Sequence, residues 1–227
     1  MKYLIIAAHP DDEILGCGGS MAKWSKEGHD VHVLIMAEGA TSRDMQRDRS
    51  SKKYELKELK SSAKSASEIL GVESIDFVDH PDNRMDSIDL LDVIKSVEKK
   101  INIIKPDVVV THHIGDLNID HQIIHRAVIT ACRPQPHQFV KLILSFEVAS
   151  ATEWQSSAAN LDFVPNWFED ISTSLDLKLN ALKKYKSEMR DWPHSRSIKA
   201  VEHLAKWRGS TMGTEAAEAF MLIRNLK

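Results

Sequence analysis

Five apolar runs of strand length recur along the first 150 residues, at 2–8, 29–37, 73–79, 107–113 and 141–148. The segments between them carry helical spacing instead. Residues 13–27 run to a stop at Gly28, and residues 50–70 end at Gly71, a natural left-handed cap. Within the latter, Leu56, Leu59, Ala63, Ala66 and Leu70 step by three and four, which gathers them on one face. A third helix is predicted over 87–105. It starts at Ser87, turns Leu90, Ile94, Val97, Ile101 and Ile104 inward, and stops before Pro106. A fourth follows His121, with Ile124, Ala127, Val128 and Ala131 on one side. Strands alternating with helices predict an α/β fold, a mostly parallel sheet with helices on both faces.

The pattern changes beyond residue 150. That region holds four of the five tryptophans together with Pro165, Pro193, Gly209 and Gly213. It reads as a cap and substrate region (151–227) on a 1–150 core, all within one domain, which suits a chain of 227 residues.

A formal net charge of −3 leaves no electrostatic footprint for nucleic acid or an anionic membrane. The lysines of "SKKYELKELKSSAK" alternate with Glu55 and Glu58 and read as the wet side of a helix. The two cysteines form no Cys-x-x-Cys pair and imply no disulfide framework. No run approaches the roughly 18 apolar residues of a membrane span, so a soluble cytoplasmic protein is expected.

Candidate chemistry begins where the first strand ends, in "AAHPDDEILGCGG". Open parallel sheets bind ligands outside the carboxyl ends of their strands, near the point where strand order reverses. His9 and Asp12, separated by a proline turn, are good zinc ligands. A third lies in "HHIGDLNIDHQ", where His121 follows Asp116 and Asp120, both able to orient its ring. Two histidines and one carboxylate leave a position for water, as hydrolytic zinc sites do. Asp11 would stand beside that water as general base. Zinc lowers the pKa of bound water from about 15.7 to about 7. Taken singly, each residue also has a structural reading, as a hydrogen-bonded histidine or as acids at a helix N-terminus. Gly16, Gly18 and Gly19 do not make a dinucleotide fingerprint, because Met21 takes the third glycine position; they read as close-packing sites for the first helix.

"AAHPDDEILGCGGSMAKW" resembles the signature of the PIG-L/LmbE-like family of zinc-dependent N-deacetylases. "GDLNIDHQ" resembles the second motif of that family and "GTEAAEAFMLIR" its C-terminal block. The resemblance implies a Rossmann-like fold and removal of acyl groups from amides on sugars or sugar conjugates. It also implies zinc, or iron in the cell, on His9, Asp12 and His121, with Asp11 as the base. Zinc-bound water would attack the acyl carbonyl. Oligomeric assembly is likewise implied. One departure stands out: many members place a histidine three residues before the last ligand, and this chain has Asn118. Asparagine can hydrogen-bond an oxyanion but cannot deliver a proton. Asp11, Asn118 and Asp120 are therefore the candidate catalytic residues. The proton donor is left between a protonated Asp11, His112 and His113.

For the substrate, Arg84, Arg43, His113, His194 and Arg196 are candidates, with Trp154 or Trp192 for stacking on a sugar and Glu147 or Glu153 for its hydroxyls. Arginine suits a phosphate, hence a sugar phosphate or nucleotide sugar, though each arginine equally fits a surface ion pair. Two rival classes remain, a non-catalytic metal-dependent sugar-binding module and a metallo-phosphoesterase.

Overall fold

The computed structural model describes residues 1–136, 138–156 and 161–227. Its sheet is built on β1 (Lys2–Ala7), β2 (Asp30–Ala37), β3 (Ser74–His80), β4 (Val108–His112) and β5 (Leu142–Phe146), joined in parallel in the order β3-β2-β1-β4-β5. The chain after residue 150 does more than lie over this sheet. It supplies β6 (Trp167–Asp170) and β7 (Ala217–Asn225), and β7 pairs antiparallel with both β5 and β6. The result is a seven-stranded, mostly parallel sheet.

Side chains alternate across each strand, and two cores follow. Tyr3, Ile5 and Ala7 face one side, covered by α1 (Asp12–Lys26), α2 (Lys53–Leu70), α5 (Leu175–Leu182) and α6 (Ile198–Ser210). Leu4, Ile6 and Ala8 face the other, covered by α3 (Leu90–Ile104) and α4 (Ile119–Ala131). Leu4, Ile5 and Ile6 are fully buried, which fits a strand that reads as a continuous apolar run. The apolar stripe predicted for α2 is buried as expected, and Gly71 ends that helix at φ 72°.

Two helix starts differ from the sequence reading. Ser87 does not cap α3; its hydroxyl donates to Arg84 O within a short 3-10 turn, Met85–Ser87, and the helix begins three residues later. Leu90 is consequently exposed, and Val93 joins Ile94, Val97 and Ile101 in the core. Helix α4 begins at Ile119 because Asn118 caps it, its Oδ1 accepting from Asp120 N at 2.9 Å. His121 therefore sits inside the first turn rather than before the helix.

Helix α1 is broken at Cys17 (φ −146°, ψ 27°). A Cβ on Gly16 would overlap the Phe146 ring, and one on Gly19 would come within 2.7 Å of Ile171 Cδ1. The glycine cluster thus buys close packing of α1. Strand order reverses about β1, so the ends of β1 and β4 open a crevice at one edge of the sheet.

Candidate active site

The turn leaving β1 delivers two of the predicted ligands to that crevice. His9 N donates to Asp12 Oδ2 at 2.9 Å, which folds the turn back on itself. From across the crevice, the first turn of α4 presents His121. His9 Nδ1, Asp12 Oδ2 and His121 Nε2 stand 3.1, 3.0 and 3.4 Å apart. Tetrahedral ligands at about 2.0–2.1 Å from zinc lie roughly 3.3 Å from one another, so this triangle fits one such ion. No part of it is exposed beyond the 13% of the His9 side chain.

A ring of acids holds the imidazoles. His121 Nδ1 lies 3.1 Å from Asp116 Oδ2, and that carboxylate also accepts from Thr152 Oγ1 at 2.8 Å. His9 Nε2 lies 3.1 Å from Asp120 Oδ2 and 3.3 Å from Asp82 Oδ1. Asp120 is itself fixed by the amides of Asn83 (2.7 Å) and Met85 (3.0 Å). Burial alone would favour neutral forms here, but the pairing outweighs it. His121 is raised to about 9 and His9 well above its usual range by the neighbouring carboxylates. Asp12 is held well below the carboxylate range by His121 and His9, and Asp82 is lowered to about 2 by His9 and Ser42. His112 differs. Burial and the charge on His121 keep it neutral, its Nε2 accepts from Ala8 N at 2.7 Å, and its ring stacks on His121 at 3.8 Å.

Asp11 stands one residue from the triangle in a left-handed conformation, φ 119°. Strain of this kind costs about 1–3 kcal/mol and persists where surroundings enforce it. Glu13 enforces it here: its carboxylate accepts Asp11 N at 3.0 Å and the Tyr185 hydroxyl on its other oxygen. Burial raises the Glu13 carboxyl to about 7, against the pull of that hydroxyl. Burial likewise raises Asp11, opposed by Arg196, whose Nη1 lies 3.2 Å from Asp11 Oδ2. Above these groups opens a cavity of about 560 Å³ with His9, Asp11, Asp12 and His121 on its wall. Its size is that of a small-molecule site.

Residues 4–132 match the family model described as PIG-L, GlcNAc-PI de-N-acetylase. The chain belongs to the PIG-L family. It is 33% identical over 186 residues to the deacetylase YaiS of Escherichia coli (strain K12), covering 81% of this chain and 90% of that one. Two solved structures share its fold. The N,N'-diacetylchitobiose deacetylase of Pyrococcus horikoshii superposes with TM-score 0.78 at 20% identity, over 98% of this chain and 84% of that one. The 4-carboxy-2-hydroxymuconate hydratase GalB of Pseudomonas putida KT2440 superposes with TM-score 0.79 at 21% identity, over 100% and 98%. At such identities the likeness is one of fold alone.

Within this PIG-L chain the remaining candidates divide. Asn118 reaches the cavity, but its Nδ2 already donates to Asn83 Oδ1 at 2.7 Å. Arg43 and Arg196 line the cavity; Arg43 is clasped by both oxygens of Glu188 at 2.6 and 2.8 Å. His194 lines a side chamber, and its Nδ1 accepts from Arg196 N. Trp154 is on the wall, half exposed. Arg84 and His113 are elsewhere. Arg84 donates to the carbonyls of Asp44 and Met45, and His113 Nε2 faces Leu161 O at 2.8 Å. Trp192 and Glu147 belong to a separate cleft, and Glu153 accepts from the amides of Ser150 and Ala151.

Sequence reasoning missed Asp82, Glu188 and Arg190. Asp82 had a signal: His80-Pro81-Asp82, at the end of β3, repeats His9-Pro10-Asp11, just past β1, at the same sheet edge. Glu188 and Arg190 had none.

Proposed function

We propose that this chain hydrolyses the N-acetyl or related acyl amide of an amino sugar or its conjugate, with one divalent ion, zinc by ligand type, on His9, Asp12 and His121. The carrying observation is the triangle of ligand atoms with a buried acid outside it, Asp11, held by Arg196 on the wall of the same cavity. Imidazole ligands favour zinc or iron over magnesium. The ion, when bound, supplies Lewis-acid polarisation of the acyl carbonyl and of the attacking water.

The rest of the chemistry falls to the chain. Asp11 accepts the proton of the attacking water. Asp116 and the Asp82–Asp120 pair hold the two imidazoles in orientation, the role that carboxylates behind metal-bound histidines take. Asn118 has one amide hydrogen beyond the bond to Asn83, for the oxyanion. The leaving amine needs a proton that asparagine cannot provide. His112 Nε2 is occupied by Ala8 N–H and His113 Nε2 is turned to Leu161 O, so neither delivers it. Asp11 therefore returns the proton it took, and Arg196 keeps its carboxylate aimed between the two steps.

The test is acetate release by metal-loaded protein across N-acetylhexosamines, their phosphates and nucleotide-linked forms, with and without chelator. Chelator-sensitive acetate from at least one of them is expected; none from any would overturn the proposal. Asp11→Asn should retain its metal by elemental analysis while kcat falls by about 10²–10⁴-fold.

A further inference from the structure

The cavity carries three guanidinium groups, and they are not equivalent. Arg43 is neutralised by Glu188, and Arg196 is committed to Asp11 Oδ2 and to Ser150 Oγ at 3.0 Å. Arg190 has no such partner: among the described residues no carboxylate lies within 4.0 Å of it. Its Nη1 donates to the carbonyls of Ser187 (2.7 Å) and Met189 (3.2 Å) in its own turn. Those two bonds fix the plane of the fork and leave Nε and Nη2 without a protein acceptor among the described residues. The backbone assists, since Arg190 N donates to Arg196 O and closes the loop that carries both arginines.

Arg190 and Arg196 share a side chamber of about 190 Å³ with Ser150, Trp154, Glu188 and His194, and all but His194 also line the main cavity. His194 accepts at Nδ1, so its hydrogen is on Nε2, a further donor. Trp154 is 52% exposed and meets the His194 ring edge-on at 5.7 Å, which leaves indole surface for a sugar ring. The chamber is too small for a nucleotide and large enough for one oxyanion with the atoms that tether it.

We propose that the side chamber receives an oxyanion carried by the amino-sugar substrate, a phosphate or a carboxylate, on the guanidinium of Arg190. This rests on the deacetylase reading and narrows it: the preferred substrate is an acidic amino sugar whose charge lies away from the acyl amide. Arginine matches such groups by paired parallel hydrogen bonds, a geometry lysine cannot copy.

The decisive measurement is kcat/KM of the metal-loaded protein for N-acetylglucosamine, its 1- and 6-phosphates, and N-acetylmuramic acid, whose acid is a carboxylate. At least one charged substrate is expected to exceed the neutral one by about tenfold or more, mostly in KM. Arg190→Ala should bring that ratio close to one, and Arg190→Lys should restore part of it. Absence of any charged-over-neutral preference, or a preference that survives Arg190→Ala, overturns the proposal. Calorimetric binding of glucosamine 6-phosphate, glucosamine 1-phosphate, muramic acid and glucosamine separates this from the deacetylase reading. Tighter, Arg190-dependent binding of a charged probe without acetate release would sink the reaction and keep the chamber. Acetate release with equal binding of charged and neutral probes would do the reverse.

Discussion

Two groups of buried charge meet α1, one at its internal break and one at its N-terminal end, and they are built differently. Beneath the break at Cys17, Glu218 accepts from Gly19 N (2.9 Å) and Ser20 N (2.7 Å), two donors freed by the kink. Lys178 Nζ donates to Glu218 at 2.6 Å and to Leu15 O at 2.8 Å. Both side chains are at most 4% exposed, their charges cancel, and the kink's own backbone groups satisfy them. At the mouth, by contrast, Asp12, Asp82, Asp116 and Asp120 surround the imidazoles of His9 and His121. Without an ion, the protons on His9 and His121 carry the compensating charge. A divalent cation replaces those two protons with no change in net charge, since metal-bound imidazoles are neutral. A self-satisfied pair is scaffold. A cluster whose charge balance depends on exchangeable protons is suited to a metal.

The largest effect that would test this contrast is His121→Ala, expected to reduce bound metal from one equivalent to near zero by elemental analysis and to abolish acetate release. Retention of a full equivalent would break the comparison at the mouth. Next is Glu218→Ala, which strands Lys178 as a lone buried cation and should cost about 3–5 kcal/mol in denaturant unfolding. Glu218→Ala combined with Lys178→Met should recover most of that loss, because the pair is closed on itself. Neither variant should change metal stoichiometry. The smallest effect belongs to Asp82→Asn, a residue one step behind the ligands. It should weaken metal affinity about 10–100-fold, measured by competition with a chromogenic chelator, while the fold stays intact.

The strands and helices of the first 150 residues were legible because aliphatic periodicity is local and strong. Helix starts were less so. Ser87 and Asn118 are equally good caps by type, yet Ser87 Oγ is drawn to Arg84 O while Asn118 Oδ1 meets Asp120 N. Strands β6 and β7 were not read from the sequence. β7 is buried over Ala217–Phe220 and then largely exposed, so it lacks a full-length alternation. In the site, His9 and Asp12 were recognisable as metal-ligand types in the turn that ends β1, and His121 as one shortly after β4. Asp82 acts from another strand end, and Arg190 is distinguished only by the partner it lacks.

What the sequence alone determined is what depends on neighbours along the chain: the alternating elements, the glycines that let α1 pack, and the histidine- and aspartate-bearing segments that follow β1 and β4. The tertiary structure decided which charges meet. Asp12 and His121 are 109 positions apart in sequence and 3.0 Å apart in space. Of three cavity arginines, folding leaves one without a carboxylate partner among the described residues. Pairing energies depend on separation and burial, and those quantities exist only once the strands are side by side.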